Sequence, residues 1–317
     1  MHMTRGFITV AFGPQEYIDN AVALARSLKL SGATSPIALV TDRPPEAFDQ
    51  FDQVIRVEDA AALGLLTKLR INEYSPYDET VFIDSDCLVV RSPEFLWERF
   101  GRHSFTMVGI EKEDGEWYGA DIAELRDHFA IDGPLPQFNS GLIYWRDDET
   151  SRAVFAYAQS LWHDYENLGL RAFREEQRRG DEPLFSIAMA VEGAVVELDD
   201  GTMMNTPVGL RGRMLVDLTS KQSQFRKGSR WVSPAIVHFC GDFRHGGTYR
   251  REAEYLRLLA ETNIDVETAR RTVKRAFFLR VVLDAAEARA VRHRSRLLLL
   301  RLRGRDVEGV MDAVVTR

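Results

Sequence analysis

The segment Val81-Phe82-Ile83-Asp84-Ser85-Asp86-Cys87-Leu88-Val89-Val90 constrains this chain more than any other. Its first residues are β-branched and aromatic, with no Pro or Gly, which is the make-up of a buried strand. Two carboxylates then flank one small residue. A buried strand ending this way sets Asp84 and Asp86 just past the carboxyl edge of a sheet, where open α/β sheets bind their ligands. Two hard oxygen donors at one place need a counter-charge, and a divalent cation holding a diphosphate supplies it. Taken alone, the pattern also fits a pair of solvated loop aspartates.

The segments around it predict the sheet. Phe7 to Phe12 reads as a first strand, closed by Gly13-Pro14. Ile18, Val22, Ala25 and Leu28 recur at helical spacing, with Gly32 placed to end that helix. Ile37 to Thr41 and Val54 to Val57 read as further strands, and Lys68 to Tyr74 as a helix before Ser75-Pro76. This alternation predicts an α/β fold with a mostly parallel sheet and helices on its faces. Farther on, Phe105 to Ile110, Gly141 to Trp145 and Ala235 to Phe239 read as strands. Glu149 to Tyr165, with Ala153, Tyr157 and Leu161 on one face, and Glu182 to Val191 read as helices.

Charge is distributed unevenly. The 317 residues carry a net charge of −7, which argues against nonspecific nucleic-acid binding by the whole surface. From Arg270 onward there are 13 Lys and Arg against 5 Asp and Glu, leaving 28 against 43 for the rest. Residues 268–305 read as one or two basic helices, with Val273, Phe277, Val281, Ala285 and Ala288 as an apolar stripe. The expected layout is a catalytic domain over residues 4–267 and a basic amphipathic extension over 268–317. Docking of that extension on an anionic membrane surface is one reading; packing on the acidic domain is the other. Cys87 and Cys240 are too few for a disulfide framework, and the apolar run Leu297 to Leu300 is far short of the ~20 residues of a membrane span. The expected location is the cytoplasm, peripheral to the inner face of a membrane.

Four more segments complete an ordered set: Thr67-Lys68-Leu69, Phe138-Asn139-Ser140-Gly141-Leu142-Ile143-Tyr144, Gly180-Asp181-Glu182 and Val237-His238-Phe239-Cys240-Gly241. With Asp84-Ser85-Asp86, they resemble the family 8 glycosyltransferases, the glycogenin-like group with a GT-A fold, over roughly Phe7 to Arg244. The resemblance implies a GT-A-like, Rossmann-type mixed sheet and a retaining, Mn²⁺-dependent hexosyl transfer from a nucleotide sugar, UDP-linked by first expectation, with Mg²⁺ as the alternative ion. The acceptor would be a glycan, a lipid-linked species or a protein.

By the same resemblance Asp84, Asp86 and His238 hold the metal, a mixed oxygen and nitrogen set that suits Mn²⁺. Tyr17, Lys68, Asp84, Ser85 and Arg244 meet the nucleotide, and Asn139, Ser140 and Asp181 meet the donor sugar. Asp181 and Glu182 are the implied catalytic pair. Each has a plainer reading: a half-buried tyrosine, an exposed lysine, an Asn-Ser-Gly turn, a helix N-cap at Asp181, a packed histidine. Two departures stand out. The family often has Asp-Gln at Asp181-Glu182, and a Lys-Pro-Trp where this chain has Asp242-Phe243-Arg244-His245-Gly246. Arg244 can take the place of that lysine, since a guanidinium grips two phosphate oxygens at once. A carboxylate at Glu182 also opens a route through a covalent glycosyl-enzyme, beside attack on the face the diphosphate leaves.

Two rival readings remain. A HAD-type phosphatase also begins with Asp-x-Asp after an apolar strand, but near the N-terminus, whereas here a βαβ unit precedes it. The other is an inactive scaffold that binds a nucleotide sugar without turnover. A zinc site using Cys87 or Cys240 matches no familiar spacing. Residues 112–132 and 205–231 are the expected acceptor loops.

Overall fold

The computed structural model describes residues 3–58, 66–172, 179–262 and 264–277. Its centre is a seven-stranded sheet in the order β10-β6-β9-β4-β1-β2-β3. The first half supplies β1 (Arg5–Ala11), α1 (Gln15–Ser31), β2 (Ile37–Thr41), β3 (Gln53–Arg56), α2 (Leu66–Leu69), β4 (Glu79–Ile83), β5 (Cys87–Val89) and α3 (Phe95–Phe100). Then come β6 (Phe105–Lys112), the two-residue strands β7 (Glu116–Trp117) and β8 (Ala120–Asp121), α4 (Ile122–His128), β9 (Leu135–Arg146) and α5 (Glu149–Ser160). The remainder is α6 (Glu182–Val191), β10 (Glu197–Leu198), β11 (Met204–Asn205), β12 (Leu210–Asp217), β13 (Gln222–Lys227), β14 (Arg230–Val232), β15 (Ile236–His238) and α7 (Gly247–Glu261). A last helical stretch covers 266–277.

Strands β4, β1, β2 and β3 are parallel, and β9 runs antiparallel between β4 and β6. All five residues of β4 are buried, as a strand covered on both faces requires. Alternate residues feed two cores: Phe7, Val81 and Ile83 pack with Ile18, Leu24 and Leu28 of α1, while Ile8 and Phe82 pack with Ile143, Phe155 and Phe185. Gly32 ends α1 in the left-handed conformation at φ 92°, and its N–H reaches back to the carbonyls of Leu28 and Lys29.

Three sequence expectations shift. The Asn-Ser-Gly segment is no turn: it lies inside the twelve-residue β9, whose register against β6 slips between Met107 and Gly109. The helix expected over 149–165 closes at Ser160 into a 3₁₀ turn at Leu161–Asp164, and it buries Val154, Phe155 and Ala158 rather than the Ala153 and Tyr157 face. The segment expected as a helix over 68–74 divides into α2 and a 3₁₀ turn at Ile71–Glu73.

Residues 266–277 pack on the domain. Ala269 and Val273 are buried beside Tyr255 and Leu256 of α7. Arg270 donates to both oxygens of the fully buried Glu252 (2.9 and 2.8 Å), to Asp217 (2.7 Å) and to the Thr219 hydroxyl (2.7 Å), and its guanidinium lies 4.2 Å from the centre of the Tyr255 ring. This arginine, counted above among the basic excess, is therefore neutralised internally. The stripe residues Val281, Ala285 and Ala288 lie outside the described residues. Removing one partner of a buried pair strands the other charge. Arg270→Ala is expected to lower stability by about 3 kcal/mol in chemical denaturation; a loss below about 1 kcal/mol would contradict this account of the contact.

Candidate active site

The site forms where β4 ends. The N–H of Asp84 donates to the Gly141 carbonyl (3.0 Å) and that of Cys87 to the Asp84 carbonyl (3.0 Å), so Asp84-Ser85-Asp86 is a tight turn between β4 and β5. Strand β5 pairs antiparallel with β15, setting His238 opposite Cys87. That pairing brings the His238 Nε2 to 3.0 Å from Asp86 Oδ1 and 3.6 Å from Asp84 Oδ2. Residues far apart in sequence thus share one small volume because two strands register there.

Lys68 enters from α2. Its Nζ donates to Asp84 Oδ2 (2.8 Å) and to the Ser140 hydroxyl (3.1 Å), and it stands 3.5 Å from Asp181 Oδ2 and 5.1 Å from the centre of the Phe82 ring. Burial by itself would drive the ammonium towards its neutral form, but the charges of Asp181 and Asp84 outweigh it and raise its pKa. Asp181 is buried, does not cap α6, and has an Oδ2 with no hydrogen-bond partner. Asp181 thus stands at the N-cap position of α6 without making a side-chain cap, and its carboxylate faces Lys68 instead.

Glu182 and Asn139 close the other wall. The Glu182 carboxylate accepts from Tyr118 Oη (2.8 Å), Asn139 Nδ2 (3.0 Å) and the Ser140 N–H (3.1 Å). Asn139 Oδ1 lies 2.6 Å from His238 Nδ1 and accepts the Gly141 N–H at 3.1 Å. A side chain at Gly141 has no room, because its Cβ would lie 2.3 Å from His238 Nδ1. Arg244 and Tyr17 meet at the rim, with the guanidinium 5.6 Å from the ring centre and its Nε 3.1 Å from Glu16. Ser85 occupies the middle of the turn.

The sequence-predicted residues Tyr17, Lys68, Asp84, Ser85, Asp86, Asn139, Ser140, Asp181, Glu182, His238 and Arg244 are accordingly drawn to one end of the sheet. Tyr118 was not among them. It stands at φ 51° beside Gly119 at φ 82°, in the turn between β7 and β8, and its ring covers Gly180, where a Cβ would lie 2.5 Å away. The only trace of it in sequence is an aromatic before a glycine. The expected acceptor loops are folded: 112–132 carries β7, β8 and α4, and 205–231 supplies the three-stranded sheet β12-β13-β14.

The charges favour a cation. Burial pushes the Asp84 carboxyl up against the pull of Lys68 and His238, whereas for Asp86 the pull of His238 overcomes burial and its pKa falls. Burial opposes charge on His238, yet Asp86 and its hydrogen bond raise the imidazole's pKa. Donor atoms of Asp86, Cys87 and His238 also lie within 4.8 Å of one another. The Cys87 thiol is fully buried and pushed well up by burial and by Asp86, so it is held protonated against the core. Asp86 and His238 fall in that group, and Asp84, whose Oδ2 lies 3.6 Å from His238 Nε2, is a further oxygen donor of the kind a hard divalent ion would fit. The fit extends outward, since Asn139 takes the second ring nitrogen of His238 as ligating histidines require.

No family model matches the chain. A 107-residue stretch is 26% identical to a protein of Arabidopsis thaliana provisionally named UDP-glucuronate:xylan alpha-glucuronosyltransferase 3, covering 29% of this chain and 17% of that protein. The aligned stretch thus spans about a sixth of the relative's length. Among solved structures, the galactosyltransferase LgtC in complex with donor and acceptor sugar analogues aligns over 83% of this chain and 98% of its own, at 15% identity and TM-score 0.49. Mouse xyloside xylosyltransferase 1 aligns over 64% of this chain and 87% of its own, at 12% identity and TM-score 0.43.

The Glu182 carboxyl is pushed up to about 7 from 4.5, by burial first and the Asp181 charge second. A raised folded-state pKa gives a stabilising contribution that is complete below pH 4.5 and lost as pH climbs through 7. Glu182→Gln carries no such proton. Its stability relative to wild type should therefore improve by up to about 3 kcal/mol between pH 4.5 and 8. Denaturant titrations at several pH values read this, and a pH-independent difference would contradict it. The three proteins above are glycosyltransferases that the chain is similar to, and its own central sheet is mostly parallel and flanked by helices.

Proposed function

We propose that the chain is a metal-dependent retaining glycosyltransferase that moves a hexosyl group from a nucleotide sugar, UDP-linked by preference, to a glycan, lipid-linked or protein acceptor. The observation that carries this reading is the convergence of Asp84, Asp86 and His238 at the end of β4, with Lys68 within 3.5 Å of both Asp84 and Asp181. Two carboxylates and an imidazole hold one cation, and a buried ammonium beside them suits a diphosphate rather than a neutral ligand. The stretch shared with a protein named for a UDP-glucuronate donor supports the same donor class.

When bound, Mn²⁺ or Mg²⁺ supplies positive charge for the diphosphate oxygens that gain negative charge as the glycosidic bond breaks. The chain's own residues do the rest. Lys68 adds a fixed positive charge from inside the sheet edge, and Arg244 adds another from the rim. Tyr17 offers an aromatic face for the nucleobase under the same guanidinium. Asp181, buried beside Lys68 with an oxygen that accepts no hydrogen bond, is the acceptor we assign to a sugar hydroxyl, with Asn139 and Ser140. Glu182 has both oxygens occupied by three donors, so it fits the role of a held acceptor better than that of a free nucleophile. This favours attack by the acceptor on the face the diphosphate leaves, with the leaving oxygen taking the proton.

A HAD-type reading would place Asp84 after the first strand of the chain, whereas here it follows β4. In calorimetry, UDP is expected to bind at micromolar affinity only with Mn²⁺ present, and Asp86→Ala and His238→Ala should each abolish that dependence. Equal UDP affinity with and without metal would overturn the proposal.

A further inference from the structure

We propose that Glu182 is also a positioning residue for the metal ligand His238, acting through the Asn139 amide. This rests on the function proposed above but concerns a different property, the strength with which the imidazole holds the ion.

The orientation of the Asn139 amide is settled by a group that has no choice of role. The Gly141 N–H can only donate, so it meets Oδ1; Nδ2 therefore faces Glu182 at 3.0 Å, whose carboxylate, ionised above pH 7, accepts from it. His238 Nδ1, 2.6 Å from the same Oδ1, therefore carries its proton there. That leaves Nε2, the nitrogen facing Asp86 and Asp84, as the one to bind a cation. Without an ion Nε2 donates to Asp86, and a cation would take the place of that proton while Nδ1–H stays on Asn139.

The amide sits between an anion and an imidazole. A carboxylate drawing on Nδ2–H makes Oδ1 a stronger acceptor, which strengthens its hold on Nδ1–H and makes Nε2 a better donor to a metal. Glu182 cannot drift from this role, because Tyr118 fixes its second oxygen and the Ser140 N–H shares its first. The line Tyr118–Glu182–Asn139–His238 thus runs from a turn residue to the cation site, with each link between 2.6 and 3.0 Å. A glutamine at position 182 keeps the shape and can still accept from Asn139, but it removes the charge.

The test is Mn²⁺ binding by the full chain without any sugar, read by calorimetry and by loss of the free-ion electron paramagnetic resonance signal. Glu182→Gln should weaken Mn²⁺ binding about tenfold, within the range seen when groups behind a ligand are altered. Asn139→Ala cuts the line at its middle and should cost as much, and it tests the inference even where Glu182→Gln does not fold. In the double variant the losses should not add, since Glu182 then has no route to His238. Unchanged Mn²⁺ affinity in Glu182→Gln, or additive losses, would overturn the inference while leaving the proposed function standing. A wild-type chain that binds no Mn²⁺ would overturn both.

Discussion

Burial of the Lys68 ammonium among Asp84, Asp181 and Ser140 lets four acidic side chains share one crevice. Asp84, Asp86, Asp181 and Glu182 crowd into the end of the sheet, and without a counter-charge several would have to take up protons. One lysine at 2.8 and 3.5 Å from two of them, plus an imidazole 3.0 Å from a third, relieves most of that repulsion. The fourth, Glu182, accepts from three donors, yet burial and the Asp181 charge still push its carboxyl up to about 7.

The sheet explains why these groups can meet. Strand β9 runs antiparallel between β4 and β6, and its register slip leaves Asn139 and Ser140 without partners in β6, beside the β4 end. The short β5–β15 ladder then delivers His238 from late in the chain. Gly141 lets the imidazole lie directly against β9, where any larger residue would collide with it. Backbone pairing fixes His238, and two backbone hydrogen bonds fix the turn that carries Asp84 and Asp86.

Much of this was legible in sequence, for reasons that can be stated. Strand β4 shows as an apolar run because both its faces are buried, whereas Asp84 and Asp86 alone also fit solvated loop aspartates and stand out only with the ordered set of Lys68, Asn139, Asp181 and His238. Gly32 reads as a helix end because the left-handed cap needs a glycine. Other features were hidden. An Asn-Ser-Gly inside a strand is indistinguishable from a turn until its partner strand is known, and β6 supplies that only through space. Tyr118 becomes part of the site through a ring packed on Gly180, some sixty residues away, and local pattern carries no sign of it. The same holds for Arg270, which looks like surface charge in sequence and is buried on Glu252 in the fold.

The central claim is that Asp84, Asp86 and His238 bind one divalent ion at the end of β4. Anomalous diffraction at the manganese edge, from crystals grown with Mn²⁺ and UDP, tests it most directly. The account predicts a single strong peak within bonding distance of Asp86 and His238 Nε2, with the Asn139 amide still on Nδ1. No peak there, or one bonded to the Cys87 sulfur in place of Asp84, would contradict it.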